Sequence, residues 1–473
     1  MPRTALESAQ DSPGTTRIPF VVLLPIVLGT LLNALNSSMI AVALLDIQRA
    51  FDAGPAVIWL VSGLYLATAV AQPTMGRLAD TLGARPVFCV GLVLVLVAAV
   101  AAPFAPGLGW LIAARVLLGV GTSAAYPAGM SMIRAWSAAH STPGAAPIGG
   151  LGAISAASQV AVALGPPLGG VLVQFADWSA IFWINVPITL TSLVMALIWL
   201  PADAPDRRPG VGNLLRELDL LGMALFVGQL TGLMAFLLSL SEEHPRWWAL
   251  ACFAVLLIAL VLWELRRERP FLDLRMLTGN LGLTGTYVRC AATYVVFYAI
   301  TYALPQWLQL GRGLSEAQSG LVMLPVAALG FLTTVWATRL THRRGLRTVL
   351  VTGSIALCVG SAALIVTGSA APLWVIVLIA AVLGLPTGFN NLGNQTLLYR
   401  TAPQDQMGIA SGLFRTSQYI GANLAAALVG VTLGGSADDS GLHLLGAAIT
   451  AISLGLLVSS VLSRHARDTA SDG

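Results

Sequence analysis

The residues of this 473-residue chain that could do chemistry are few, and most sit singly among apolar neighbours. Asn33, Asn36 and Ser37 share one face of an apolar stretch, and Asn390 and Asn394 share a face of another. Ser158-Gln159 and Ser417-Gln418 recur as matching pairs. Amides and hydroxyls form hydrogen bonds and do not make or break covalent bonds unaided. They suit either a polar, uncharged cavity that recognises a small molecule or bonding between helices. Tyr287, Tyr294, Tyr298 and Tyr302 are spaced seven, four and four, which stacks them along one helix face. Rings with hydroxyl handles fit an amphipathic ligand, and packing against a neighbouring helix is the competing use.

Charge is scarcer still. Arg115 and Arg289 lie inside apolar stretches, where an unpaired guanidinium is costly and must face protein or water. Arg289 could meet an anionic ligand group, pair with a helix C-terminus, or extend to the membrane interface. Asp80 lies between Arg77 and Arg85. Its carboxylate could bond a neighbouring helix N-terminus and latch one side of the molecule, or simply balance the arginines. Gly165-Pro166-Pro167-Leu168-Gly169-Gly170 removes backbone donors and side-chain bulk together, which predicts a kinked helix with a flat face toward a neighbour.

No Asp or Glu lies deep in an apolar stretch. Asp46, Asp52, Asp80, Asp219, Glu264 and Glu316 fall at ends or in loops, with Asp46 near the end of the first stretch. A site without buried acids holds dications poorly, which favours neutral, zwitterionic or anionic ligands. Cys89, Cys252, Cys290 and Cys358 form no CxxC pair and have no His at ligand spacing, so neither a metal nor a cofactor is expected. The G-x-x-x-x-G-K-[ST] pattern is absent, which argues against direct use of ATP, and no catalytic residue is assigned.

These residues are carried by an unusually apolar chain. It is 56% hydrophobic and only 10% charged, with a mean hydropathy of +0.81. Too few charges remain to cover a water-soluble domain, which excludes a soluble enzyme of ordinary composition. The apolar residues gather into fourteen blocks near 19–44, 56–76, 86–106, 108–132, 148–174, 178–200, 219–240, 247–264, 281–304, 316–337, 348–368, 372–396, 408–431 and 441–462. Each is about the length that crosses a bilayer core as a helix. Hydrocarbon leaves only helices or closed barrels, and blocks without strict alternation are not barrel strands.

All 25 basic residues are Arg. With the N-terminus in the cytoplasm, twenty of them, Arg415 included, fall to cytoplasmic loops and tails, against Arg49, Arg246 and Arg312 opposite. The positive-inside rule then places both termini inside. The net charge of +4 is spread over many loops, so no nucleic-acid partner is expected.

The chain repeats itself faintly. Gly76-Arg77-Leu78-Ala79-Asp80-Thr81-Leu82-Gly83-Ala84-Arg85-Pro86-Val87 is echoed by Thr338-Arg339-Leu340-Thr341-His342-Arg343-Arg344-Gly345-Leu346-Arg347-Thr348-Val349. The organisation expected is a tail over 1–18, a six-helix bundle over 19–200, linkers with two inserted helices over 201–280, a second six-helix bundle over 281–462, and a tail over 463–473.

These motifs resemble those of the major facilitator superfamily, in its fourteen-helix drug/proton antiporter branch. GRLADTLGAR, with Gly76, Asp80, Gly83 and Arg85, is similar to the family's loop signature between helices 2 and 3. RVLLGVG from Arg115 is similar to its helix 4 signature. Gly165, Pro166, Gly169 and Gly170 resemble the helix 5 antiporter signature, and WSAIFWINVPI (178–188) is typical of the branch at helix 6. The resemblance implies an all-α integral membrane protein of the cytoplasmic membrane, whose two bundles rock about a midplane site. It implies export of small amphipathic compounds, usually driven by protons, with Arg115 in proton coupling.

The branch usually has an acidic residue on helix 1 where this chain has Asn36, which leaves Asp46 as the nearest substitute. Substrate contacts are expected from Asn33, Asn36, Gln159, Arg289, Tyr294, Tyr298, Asn390, Asn394 and Gln418. The partners expected are a small molecule, lipid and protons, with the protein a monomer. An uptake carrier or uncoupled facilitator on the same fold is the alternative, and a non-transporting membrane sensor the second.

Overall fold

A computed structural model describes residues 18–52, 57, 59–140, 148–200, 219–239, 244–267, 270–272, 274–314, 316–433 and 438–463. The 201–218 linker and most of both tails lie outside the described residues. Within them there is no β-strand. The chain forms α1 (Phe20–Phe51), α2 (Trp59–Leu82), α3 (Ala84–Ala101), α4 (Leu108–Thr122), α5 (Ala125–His140), α6 (Ile148–Phe175), α7 (Ala180–Trp183) and α8 (Asn185–Trp199). Next come α9 (Leu220–Ser239), α10 (Trp247–Arg266), α11 (Leu274–Gly279) and α12 (Leu281–Gln306). The last are α13 (Glu316–Ile365), α14 (Leu373–Thr401), α15 (Met407–Leu433) and α16 (Asp439–Leu462).

Nine of the described helical stretches are long and apolar enough to cross a membrane. Wet and apolar faces are inverted relative to a soluble protein: Val90, Val97, Leu197, Ile198, Trp248, Val255 and Ile258 are exposed, as helices bathed in hydrocarbon require. Two blocks that read as separate in the sequence, 316–337 and 348–368, follow one another in α13 as two helices that meet at a kink. Its one break is Gly345 at φ 80°, ψ 165°.

That break reveals the internal repeat in three dimensions. Gly83, between α2 and α3, has φ 103° and ψ 146°, the same right-hand side of conformational space that side chains disfavour. Two residues later in each copy an arginine closes the turn onto the last helix of its own bundle. Arg85 Nη2 donates to the Leu197 carbonyl and Arg347 Nη2 to the Val461 carbonyl, both at 2.6 Å.

Three apolar cores set the shape. One joins inner α1, α2 and α5 of the first bundle (Ile26, Met75, Met130) to α12, α14 and α15 of the second (Leu283, Leu398, Phe414). The other two belong to one bundle each. Ile40, Ile47, Leu60 and Phe182 fill the far half of the first, and Ala299, Trp307, Leu364 and Ile449 fill the far half of the second. The bundles are thus fused at the end bearing Asp80 and hold separate cores at the other. The inserted helices α9 and α10 pack on one another and lay Phe226, Leu230 and Leu260 against Ala69 of α2 and Ile409 and Leu413 of α15. They therefore cover the seam between the bundles.

A side chain at Gly83 or Gly345 should be strained by about 1–3 kcal/mol. Gly345→Ala and Gly83→Ala should each lower the melting temperature of the detergent-solubilised protein. Gly455→Ala, in α16 with open space around it, should leave it equal or raise it.

Candidate functional site

The two bundles enclose a central cavity of about 750 Å3, counted with its open mouth. Its polar lining is Asn33, Ser37, Ser158, Thr293, Thr387, Asn391, Arg415 and Gln418. Tyr65, Tyr294, Phe297, Tyr298 and Tyr419 supply rings. The rings stand on three helices. Tyr294, Tyr298 and Tyr302 run up α12 with centroids 5.9 and 5.5 Å apart, and Tyr65 of α2 faces Tyr419 of α15 at 6.0 Å. The stack arises from the four-residue spacing, which returns a side chain to nearly the same face of a helix. Tyr287 departs from it: its hydroxyl donates to the Ala410 carbonyl at 3.0 Å.

Asn33 is a joint between the bundles as well as a lining residue. Its amide donates to Thr122 Oγ1 at 3.1 Å, and its carbonyl accepts from the Tyr419 hydroxyl at 3.0 Å. Gln418 Oε1 accepts from Arg415 Nη1 at 3.0 Å. The Arg415 guanidinium lies flat over the Tyr126 ring of the first bundle, 3.9 Å from its centroid, a geometry that attracts the cation to the ring face.

Arg415 is a correction to the sequence reading, which counted it among loop arginines. It stands nine residues into α15, about 12 Å along the helix, and lines the central cavity. Its i,i+3 relation to Gln418 was the available signal, since residues so spaced share a face. Asn391 was missed in the same way. It lines the cavity, whereas Asn390 points into the second bundle with neither amide atom hydrogen-bonded.

Other expected contacts lie elsewhere. Asn36 is buried in a reciprocal amide pair with Asn185 (2.5 and 3.1 Å) and also donates to the Leu32 carbonyl. Arg115 is fully buried beside it, donating to the Leu60 and Asn36 carbonyls at 3.2 Å each and facing the Phe182 ring. The pair ties α1, α2, α4 and α8 together in this conformation.

Arg289 forms the counterpart in the second bundle. It donates to Asn394 Oδ1 (2.9 Å), the Leu456 carbonyl (3.0 Å) and Ser354 Oγ (3.3 Å), and Asn394 in turn donates to Thr293. Arg289 borders a separate recess with Leu281, Thr286 and Ser459 instead of the central cavity. Asp46 pairs with Arg49 at 3.7 Å at the exposed end of α1, away from the cavity. The side chains of Gln159 and Pro166 fall outside the described residues. The helix α6 runs unbroken through 165–170, and Gly165 and Gly169 bring its backbone against Ser38 and Met39 of α1.

One end of the cavity is shut by a contact between the bundles. Asp80 Oδ1 accepts from the Gly408 amide and Oδ2 from the Ile409 amide, both at 2.8 Å, and Ser131 donates to Oδ1 at 3.2 Å. These amides are among the first of α15, where unpaired N–H groups and the helix dipole favour a negative charge. Around the carboxylate, Gly76 meets the Gly408 backbone, and Gly412 meets Gln72 and Pro73, at distances no side chain could occupy. Thr416 Oγ1 donates to the Ala69 carbonyl at 2.8 Å, and Arg134 covers the Tyr399 ring.

Two further carboxylates, Asp219 and Glu264, lie at helix ends as expected and yet are buried, each 2% exposed. Asp219 accepts from Trp263 Nε1 and caps the Gly222 amide, on the inserted pair. No carboxylate lines the central cavity among the described residues.

The profile of the Major Facilitator Superfamily matches residues 26–426. The chain is 34% identical over 416 residues to an uncharacterised MFS-type transporter, YwoD, of Bacillus subtilis, covering 88% of this chain and 90% of that one. It is 26% identical to the tetracenomycin C resistance and export protein of Streptomyces glaucescens, covering 89% and 77%. Among solved structures, the human organic anion transporter MFSD10 superposes with a TM-score of 0.65 at 15% identity, covering 93% of this chain and 99% of that one, which shows a shared fold.

The arginine knots should act on stability. Arg115→Leu and Arg289→Leu each strip buried acceptors of a charged donor and should cost about 2–3 kcal/mol. Chemical unfolding in mixed micelles should register the loss in both variants.

Proposed function

This chain belongs to the major facilitator superfamily, and on that premise we propose that it exports small amphipathic compounds across the cytoplasmic membrane by alternating access. The observation that carries the reading is the amphipathic cavity between two bundles, closed at one end by Asp80 on the start of α15. In this reading the closed end faces the cytoplasm, fourteen helices cross the bilayer, both termini lie inside, and the bundles over 19–200 and 281–462 rock as units in a monomer. The conformation is then one that releases cargo outward. Export is supported by the α1–α6 glycine contact, which the resemblance links to exporters, and by the printed role of the Streptomyces relative.

Asp80 is the latch of this cycle. Two amide donors fix its carboxylate only while the bundles are closed on that side, so the same contact must break for cargo to enter from the cytoplasm. Transport is coupled to inward proton flow, with the carboxyls of Asp80, Asp219 and Glu264 as the groups available to carry it. One observation favours the uncoupled facilitator as the second reading: among the described residues no carboxylate borders the cavity.

Inside-out vesicles with an acidified lumen and a lumenal pH dye separate the two. Compound-dependent proton release from the lumen is expected, and compound flux with no proton movement would move the facilitator reading to first place. Asp80→Asn, which keeps one acceptor and loses the charge, should slow transport roughly tenfold with unchanged surface expression. Undiminished rates would remove the latch.

A further inference from the structure

We propose that the cavity selects amphipathic aromatic anions, recognised by Arg415 together with Gln418. The inference rests on the transporter reading above and names its substrate class.

Three observations converge on one place. First, Arg415 brings a full positive charge to the cavity wall, and among the described residues it has no ion pair. Among the described residues its compensating contacts are neutral, the Tyr126 ring and the Gln418 amide oxygen. A guanidinium inside the bundles is costly unless something answers it, and ring stacking returns only about 0.5–2 kcal/mol. A carboxylate or phenolate arriving in the cavity would answer it directly, whereas a cation would be repelled.

Second, the unspent polar atoms are donors. Arg415 Nε and Gln418 Nε2 are buried and have no hydrogen-bond partner, and the neighbouring Tyr126 hydroxyl is likewise unpaired. The amide oxygens of the lining are already engaged. Asn33 Oδ1 accepts from Tyr419, Asn391 Oδ1 from Gln395, and Gln418 Oε1 from Arg415 itself. A buried donor left unpaired costs about 1–3 kcal/mol. A ligand acceptor that reaches Arg415 and Gln418 would satisfy these donors, whereas the lining amide oxygens are already engaged.

Third, the same cavity is lined with aromatic rings. Tyr65, Tyr294, Phe297, Tyr298 and Tyr419 present rings, which suits a flat apolar body held with its anionic edge toward Arg415. Charge-assisted bonds from a guanidinium to an oxyanion are about twice as strong as neutral ones. They are stronger still away from bulk water.

The test uses the full-length protein in phosphatidylcholine nanodiscs and three probes of one shape: anthracene-2-carboxylate, anthracene-2-carboxamide and an anthracene-2-methyl trimethylammonium. Equilibrium dialysis should give the carboxylate at least about tenfold tighter binding than the carboxamide, with the cation weakest. Arg415→Gln should make carboxylate and carboxamide equal. Arg415→Lys should keep part of the preference, since the charge remains but the planar fork is lost. Gln418→Leu should weaken the carboxylate a few-fold, which preserves the test if Arg415→Gln fails to fold.

A wild-type preference for the carboxamide or the cation would overturn the inference. So would a carboxylate preference that survives in Arg415→Gln. Flux of the same probes into proteoliposomes keeps the two readings apart. Flux of the cation without carboxylate-selective binding sinks the substrate class and leaves transport standing. Carboxylate-selective binding without flux in either direction sinks transport and leaves the substrate class standing.

Discussion

Hydrocarbon cannot hydrogen-bond, and most of this structure follows from that constraint. A polar group inside a spanning helix must find a partner in the protein or face an aqueous cavity. The chain has few such groups, and among the named arginines and asparagines it sorts all but Asn390, whose buried amide has no hydrogen-bond partner. Arg115 with Asn36 and Asn185, and Arg289 with Asn394 and Ser354, are matched donor–acceptor knots, one in each bundle. Arg415 is the intramembrane arginine that borders the shared cavity. The same polarity serves as rivet where it is saturated and as binding surface where it is not.

Much of this was readable from residue types alone. Block lengths and arginine placement pointed to an all-helical membrane protein, and the two GR/RL-type segments pointed to a duplicated bundle. The same two segments carry the repeat into the structure. Gly83 and Gly345 share a backbone turn, and Arg85 and Arg347 close onto matching helices, although Asp80 has His342 as its counterpart. A strained turn admits one residue type, so its glycine persists as a marker while the surrounding chemistry diverges.

Helix faces were harder to read than helices. One residue along a helix is a rotation of about 100°, so Asn390 and Asn391 look in different directions although their chemistry is identical. The choice between them depends on how α14 is turned against α13, a packing quantity with no local signal when both neighbours are apolar. Arg415 was misplaced for another reason. Arginines near the ends of spans are usually anchors, and the i,i+3 relation to Gln418 is a weak signal beside the stacking on Tyr126 of the opposing bundle, which turns this one inward. Contacts between bundles are set by chain segments nearly 300 residues apart and escape any reading of short windows.

The closed end has the strength that a switching contact needs. Two carboxylate–amide bonds contribute about 1.5–3 kcal/mol each, and the Thr416 and Tyr419 bonds about 0.5–1.5 each. Shifting a two-state equilibrium from 1:99 to 99:1 takes about 5.5 kcal/mol of differential binding, which is of the same order. In the proposed cycle, ligand binding of ordinary strength is therefore enough to open this contact, whereas an interdigitated seam of leucines would hold it shut through close packing that separates only with extensive rearrangement. Gly76, Gly408 and Gly412 prevent such interdigitation. They bring α2 and α15 together backbone to backbone, so the bundles can part there with few side chains to repack, and the Asp80 carboxylate is left as the directional element of the seam.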